Sequence, residues 1–169
     1  MAKVGDRITL SITASENIQS PTVSIAGNSR PVSQVSGSTG WSATYNMQSS
    51  DTEGSVSLSV AFRDTLDNPV ITVTSTTNGS AVLFDKTAPT LTEVTAVPTP
   101  DNDSTPNYTF YSNQAGAITY GGDCSSSDNT TTVANDNRTT ITFNALNDGT
   151  YSDCKVTVTD SAGNASTAL

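Results

Sequence analysis

Apolar residues recur at every second position along most of this chain. In residues 7–13 the positions of Ile8, Leu10 and Ile12 share one face, and residues 41–47 show the same alternation. A period of two is typical of antiparallel strands that bury one face and expose the other. No apolar pattern with helical spacing extends beyond one turn, so the sequence predicts an all-β fold.

Clusters of Gly, Asn, Asp and Pro separate the predicted strands. In the first half the strands are predicted at residues 7–13, 23–25, 41–47, 56–62 and 70–84. In the second half they are predicted at residues 91–97, 108–112, 117–121, 130–134, 139–145 and 151–159.

One pattern occurs twice. Leu58–Asn68 aligns without gaps with Cys154–Asn164, and each copy ends in Asp-x-x-x-Asn. A strand pattern repeated at a fixed offset indicates tandem domains of one fold. With Asp85–Pro89 as a short, proline-terminated linker, the sequence predicts two seven-stranded sandwiches in series, domain 1 over 1–87 and domain 2 over 88–169.

The ends of the two predicted domains are uneven. Domain 1 has no counterpart of the Leu91–Val97 strand, and domain 2 continues for only a few residues after Asn164. We expect the chain to be a window on a longer tandem array, with any export signal and anchor outside it. The alternative is that a neighbouring molecule supplies the missing strand, as in donor-strand assembly.

Composition excludes several classes of function. The 169 residues carry a net charge of −9, and none is histidine. An acidic chain repels nucleic acid and anionic membrane surfaces, and no apolar run approaches the roughly 20 residues that span a bilayer. Without histidine a Ser-His-Asp triad cannot form, and no carboxylate pair is distinguished by its spacing. We therefore expect no enzyme, nucleic-acid partner or membrane insertion.

The chain contains two cysteines, Cys124 and Cys154, both in the second half. Two cysteines alone cannot complete a four-ligand zinc site, so we expect one structural disulfide formed in an oxidising compartment. Two buried free thiols are the alternative. Closing a loop of about thirty residues contributes about 3 to 4 kcal/mol in the chain-entropy model.

Acidic turns suggest a metal site where the two domains join. In a tandem sandwich, Asp85 of the linker is expected to approach Asp160 and Asn164 of domain 2. Asp51 and Glu53 are expected at the same joint. Several oxygen ligands without a basic partner would suit calcium, which is the cofactor that the sequence suggests.

The alternative for these residues is ordinary turn chemistry, in which Asp and Asn bind their own backbone. Lys86 would also lie at the joint and neutralise it. Asp64, Asp67 and Asn68 form the matching acidic group at the outer end of domain 1.

The aromatic residues give little support for glycan binding. Tyr111 has the opposite parity to its neighbours Tyr108 and Phe110, and we expect it to be the exposed ring. Other aromatic residues fall on the alternating apolar faces and are predicted to be in the core: Trp41, Tyr45, Phe110, Tyr120 and Phe143.

Several phrases together resemble bacterial immunoglobulin-like repeats of large surface proteins. In the first half they are residues 41–54, Asp64–Asn68 and Phe84–Thr90. In the second half residues 118–125 and 148–164 resemble a sister repeat type. The resemblance covers almost the whole chain and implies two tandem immunoglobulin-like β-sandwiches without catalytic residues.

In function, the resemblance implies a structural extender of an adhesin at the bacterial cell surface, with neighbouring repeats of the same parent chain as its partners. Two rival functions stay open. One is a module that binds glycan or protein, and the other is a fibre subunit assembled by strand exchange.

Overall fold

In a computed structural model the chain is all-β. The structure describes residues 1–37, 39–128, 131–132 and 138–169. These residues contain no helix. The chain divides into two compact units, Met1–Lys86 (unit 1) and Thr87–Leu169 (unit 2). Each unit has a hydrophobic core cluster of its own.

Unit 1 consists of two main sheets and a small ribbon. Its strands are β1 Arg7–Thr13, β2 Thr22–Ile25, β3 Asn28–Arg30, β4 Val32–Ser36, β5 Gly40–Asn46, β6 Gly54–Ser55, β7 Leu58–Phe62, β8 Ile71–Val73 and β9 Leu83–Phe84. The first sheet has the order β1-β5-β4 and the second the order β3-β2-β7-β8, while β6 pairs with β9. The paired strands are antiparallel.

Both main sheets of unit 1 contribute to its core. Ala43 and Tyr45 of β5 belong to the same buried cluster as Val23 of β2 and Val60 of β7. Successive side chains of a strand point to opposite faces, so one face of each sheet can be apolar while the other meets water. The two apolar faces therefore pack on each other, as in a β-sandwich.

Unit 2 repeats this plan. Its strands are β10 Leu91–Thr95, β11 Asn107–Ser112, β12 Gly116–Gly121, β13 Thr131–Thr132, β14 Arg138–Thr142 and β15 Lys155–Thr159. One sheet has the order β10-β11-β14 and the other the order β13-β12-β15. Phe110 of β11, Ile141 of β14 and Val158 of β15 are each 0% exposed, so both sheets again supply the core.

Some sequence predictions need correction. The single strand predicted over 70–84 is two short strands, β8 and β9, because the chain turns between them. In that turn the Thr76 hydroxyl donates to the carbonyl of Ser80, and Gly79 has a positive φ of 70°. β3 and β4 were not predicted, since neither shows an alternation of apolar and polar residues.

Two further predictions were the burial of Trp41 in the core and a strand over residues 130–134. Trp41 is half-buried and is not a member of the core cluster, although its parity matches that of Ala43 and Tyr45. The strand predicted over 130–134 lies mostly outside the described residues, with β13 as its described part.

Candidate functional site

The five residues Asp160–Asn164, called here the Asp160 turn, follow β15 in unit 2. Asp160 Oδ1 accepts the backbone N–H groups of Ala162 at 2.8 Å and of Asn164 at 2.9 Å. The side-chain amide of Asn164 donates to Oδ2 at 2.9 Å. Both carboxylate oxygens of a buried aspartate are thus bound by the turn that this aspartate begins.

The Asp64 turn, residues Asp64–Asn68, has the same arrangement after β7 in unit 1. Asp64 Oδ1 accepts the backbone N–H groups of Leu66 and Asn68, each at 3.0 Å. The side-chain amide of Asn68 donates to Asp64 Oδ2. The duplicated Asp-x-x-x-Asn pattern therefore encodes one local structure in both units.

The fourth residue of each turn adopts a left-handed backbone conformation. Gly163 has φ 91° and Asp67 has φ 68°. Glycine adopts this conformation without steric cost, and aspartate tolerates it better than most residues. Asp67 is also bound through its side chain, because Arg63 Nη1 donates to Asp67 Oδ1 at 3.0 Å and Gln19 Nε2 donates at 3.1 Å.

These hydrogen bonds favour the ionised carboxylates. Burial by itself raises the pKa of Asp160, but the bonds from Asn164, Ala162 and Gly163 outweigh it and hold this pKa below its ordinary value. The side-chain and backbone bonds from Asn68 lower the pKa of Asp64 in the same way. The bond from Arg63 is the main cause that lowers the pKa of Asp67.

Asp51 lies in a second polar network, within unit 1. It is 7% exposed, and its Oδ1 accepts the hydroxyl of Tyr45 at 2.9 Å and the side-chain amide of Asn28 at 3.3 Å. Its Oδ2 accepts the backbone N–H of Gln48 at 2.7 Å. Burial raises the pKa of Tyr45, and the hydrogen bond and negative charge of Asp51 raise it further.

Glu53 and Asp85 are also bound within unit 1. The backbone N–H of Lys86 donates to Glu53 Oε1 at 2.9 Å, and the backbone N–H of Asp85 donates to the carbonyl of Ala2 at 2.9 Å. Lys86 Nζ donates to two backbone carbonyls, those of Ser49 and Asp51, at 2.9 and 2.8 Å. The lysine thus anchors the end of unit 1 to the loop after β5.

The structure places the five predicted calcium ligands in these local networks. Asp51, Glu53 and Asp85 belong to unit 1, whereas Asp160 and Asn164 belong to unit 2. Within the described residues, no group of three or more histidine, cysteine, aspartate or glutamate side chains is arranged to hold a metal ion. Calcium binding stays a prediction of the sequence alone, and because Asp51 and Asp160 accept hydrogen bonds within their own units, we expect no effect of calcium on stability.

The Cys124–Cys154 disulfide is present. It connects the ends of two paired strands, because Gly121 of β12 is the partner of Lys155 of β15. The Cα atoms of the two cysteines are 5.1 Å apart, and Cys124 is buried. Gly122 makes this approach feasible, since a Cβ there would lie 2.1 Å from the carbonyl oxygen of Asp153.

Two tyrosines of unit 2, Tyr111 and Tyr151, have defined neighbours in the structure. Tyr111, expected to be exposed, is half-buried on β11 between its partners Thr92 and Arg138. The hydroxyl of Tyr151 donates to the carbonyl of Asn147 at 2.9 Å. Tyr151 therefore closes the turn that leads to the second cysteine.

A large groove in unit 1 was not foreseen from the sequence. It has a volume of about 1410 Å³ and runs beside β1, β7 and β8. Apolar side chains from all three strands line it, including Leu10, Ile12, Phe62 and Ile71. The alternation of Ile8, Leu10 and Ile12 is a sequence signal for one apolar wall of the groove, but it does not show which strands line the other side.

The chain was compared with protein-family models, curated proteins and solved structures. No family model matches the chain, and no similar curated protein or solved structure was found. Among the described residues, none belongs to a helix with the length and apolar character needed to cross a membrane.

Proposed function

We propose that the chain consists of two tandem immunoglobulin-like repeats and serves as a structural extender in a bacterial surface protein, in particular an adhesin. Its partners would be neighbouring repeats of the same parent chain, outside the cell. The observation that carries the proposal is the duplicated β unit, in which the same acidic turn follows β7 and β15. Repetition of one unit along a chain is typical of proteins that span a distance.

The strand order supports the immunoglobulin-like part of the proposal. The sheets β1-β5-β4 and β3-β2-β7-β8 have the order of an immunoglobulin sandwich from its second strand onward. In unit 2, β10-β11-β14 and β13-β12-β15 follow the same order with the first strand included, and the described residues contain no counterpart of β4 or β8. The bond from Tyr151 to Asn147 resembles the tyrosine corner of that fold.

The chemistry of the two units suits a load-transmitting module outside the cell. Each unit has its own core, so each can resist unfolding independently. The disulfide of unit 2 is of the kind that persists in oxidising compartments. The net charge of −9 favours solubility and opposes self-association.

Single-molecule force spectroscopy on the intact chain tests this function. We expect two separate unfolding events, one for each unit. The cysteines are separated by 30 residues, so reduction should lengthen the event of unit 2 by about 100 Å of extended chain. The matched control is the double variant Cys124→Ser/Cys154→Ser, which should show the longer event without a reductant.

Two outcomes would contradict the extender. One is a single cooperative event for the whole chain, because serial extenders unfold one by one. The other is extension without any resolved force peak, because such a chain would unfold under a negligible force.

The groove of unit 1 favours a binding role as the second candidate function.

A further inference from the structure

A polar pocket of unit 1 lies beside the hydrogen-bond network of Asp51. Its volume of about 600 Å³ is within the range of sites for small molecules. Arg7 of β1, Asn28 and Arg30 of β3 and Asn46 of β5 contribute to its lining. The described residues that line it include no purely hydrocarbon side chain. The pocket therefore offers charge and hydrogen bonds to a ligand, but little surface to an apolar one.

Two of the four arginines of the chain, Arg7 and Arg30, line this pocket. In the part of the chain that the structure describes, neither makes an ion pair with a carboxylate, whereas Arg63 is paired with Asp67. Two guanidinium groups at one pocket are unusual in a chain with a net charge of −9. They present positive charge to a ligand, and a carboxylate is the group that an arginine fork matches best together with phosphate.

The guanidinium of Arg30 is held in place from two sides. Its Nε donates to the backbone carbonyl of Thr44 at 3.2 Å, and its Cζ lies 5.1 Å from the centre of the Tyr45 ring. Tyr45 is itself fixed, because its hydroxyl donates to Asp51 at 2.9 Å. A cation that is already positioned loses less conformational entropy when it binds a ligand.

The charge around the pocket favours a carboxylate over phosphate. Asp51 bonds to Tyr45 but is not a lining residue, and its negative charge opposes a multiply charged anion nearby. The rest of the lining suits hydroxyl groups. Asn46 and Gln48 are exposed and carry primary amides, which both donate and accept hydrogen bonds as a hydroxyl does.

From these observations we propose that the pocket binds the carboxylate-bearing sugar of an acidic glycan, that is, a uronic acid residue. The carboxylate binds the fork of Arg30, with Arg7 as the second cation. The ring hydroxyls bind the amides of Asn46 and Gln48. This ligand site is additional to the extender function and does not depend on it.

Titration of the isotope-labelled intact protein with sodium glucuronate tests the proposal, with amide NMR spectra as the readout. We expect saturable shifts at the amides of the pocket and a dissociation constant of about 1 mM. Glucose has the same ring without the carboxylate, and acetate has the carboxylate without the ring. Each should bind at least about tenfold more weakly than glucuronate.

Three variants locate the site. Arg30→Gln should weaken glucuronate binding by about tenfold or more, because it removes the charged fork. Asn46→Ala, at an exposed position outside the core, should weaken it by about threefold and tests the site even if Arg30→Gln does not fold. Arg63→Gln changes the net charge by the same amount outside the pocket and should bind like the wild type.

Four results would overturn the proposal. One is the absence of saturable shifts at the pocket with glucuronate. Equal affinity for acetate would indicate a site for any small anion, and equal affinity for glucose would show that the arginines do not select a carboxylate. Weakening by Arg63→Gln as large as that by Arg30→Gln would show that the effect arises from net charge alone.

Discussion

Asn164 binds both oxygens of Asp160, through its backbone N–H to Oδ1 at 2.9 Å and through its side-chain amide to Oδ2 at 2.9 Å. Asn68 makes the same two bonds to Asp64 in unit 1. The most conspicuous pattern of the sequence thus has a structural purpose within each unit. It closes the turn after a core strand by means of one ionised carboxylate.

Removal of the Asp160 carboxylate should destabilise unit 2. In Asp160→Ala the backbone N–H groups of Ala162 and Asn164 lose their acceptor in a half-buried turn. The expected loss is about 1 to 3 kcal/mol in the free energy of unfolding, measured by urea denaturation. Asp148→Ala, in an exposed loop of the same unit, is the matched control. Equal stability of the two variants would contradict the role of the turn.

The turns should also make the protein sensitive to acid. Since the pKa of Asp160 in the folded state is lower than its ordinary value of 3.8, its stabilisation is present above pH 3.8 and is lost as the pH falls through the folded value. Asp64 and Asp67 act in the same direction. The melting temperature of the wild type should therefore fall more steeply in acid than that of Asp160→Asn. Parallel curves for the two proteins would show that Asp160 is not linked to folding.

A different residue should limit stability in alkali. Burial raises the pKa of Tyr108 from 10.0 to about 12, and the negative charge of Glu93 adds to this effect. The contribution of Tyr108 to stability is therefore complete below pH 10 and is lost as the pH rises toward 12. Phenolate absorbance should show a tyrosine with a pKa of about 12, and this titration should be missing in Tyr108→Phe. The stability of Tyr108→Phe should also fall less steeply than that of the wild type as the pH rises from 10 toward 12.

Reduction of the disulfide should weaken unit 2 and leave unit 1 unchanged. The bridge closes a loop with a sequence separation of 30 residues, and a loop of that length corresponds to about 3 to 4 kcal/mol in the chain-entropy model. Hydrogen exchange at the core strands of each unit, with and without reductant, measures the two effects separately. Faster exchange of both units alike would contradict a bridge that acts within unit 2.

Calcium should have no effect on thermal stability. Both oxygens of Asp51 and of Asp160 already accept hydrogen bonds from their own unit, and a metal ion would have to compete with these donors. Calorimetric melts in excess calcium and in EDTA should therefore coincide. A large upward shift with calcium would instead favour the metal site suggested by the sequence.

Local sequence determined the local structures of this protein. The alternation of Ile8, Leu10 and Ile12 predicts β1, because a period of two matches the pleat of a strand. The spacing within Asp160–Asn164 predicts a turn, because a carboxylate can reach backbone N–H groups two and four residues ahead. The two cysteines predict the disulfide, because they are the only pair available.

Tertiary structure decided the features that depend on strand partners. β3 and β4 have no apolar alternation, and they become strands by pairing with β2 and β5. Tyr45 and Asp51 meet because the chain folds back after β5, and Trp41 is only half-buried although its parity matches the core. Periodicity specifies which side of a strand is apolar, but it contains no information on which strand lies beside it. The groove of unit 1 is visible for that reason only in the folded protein.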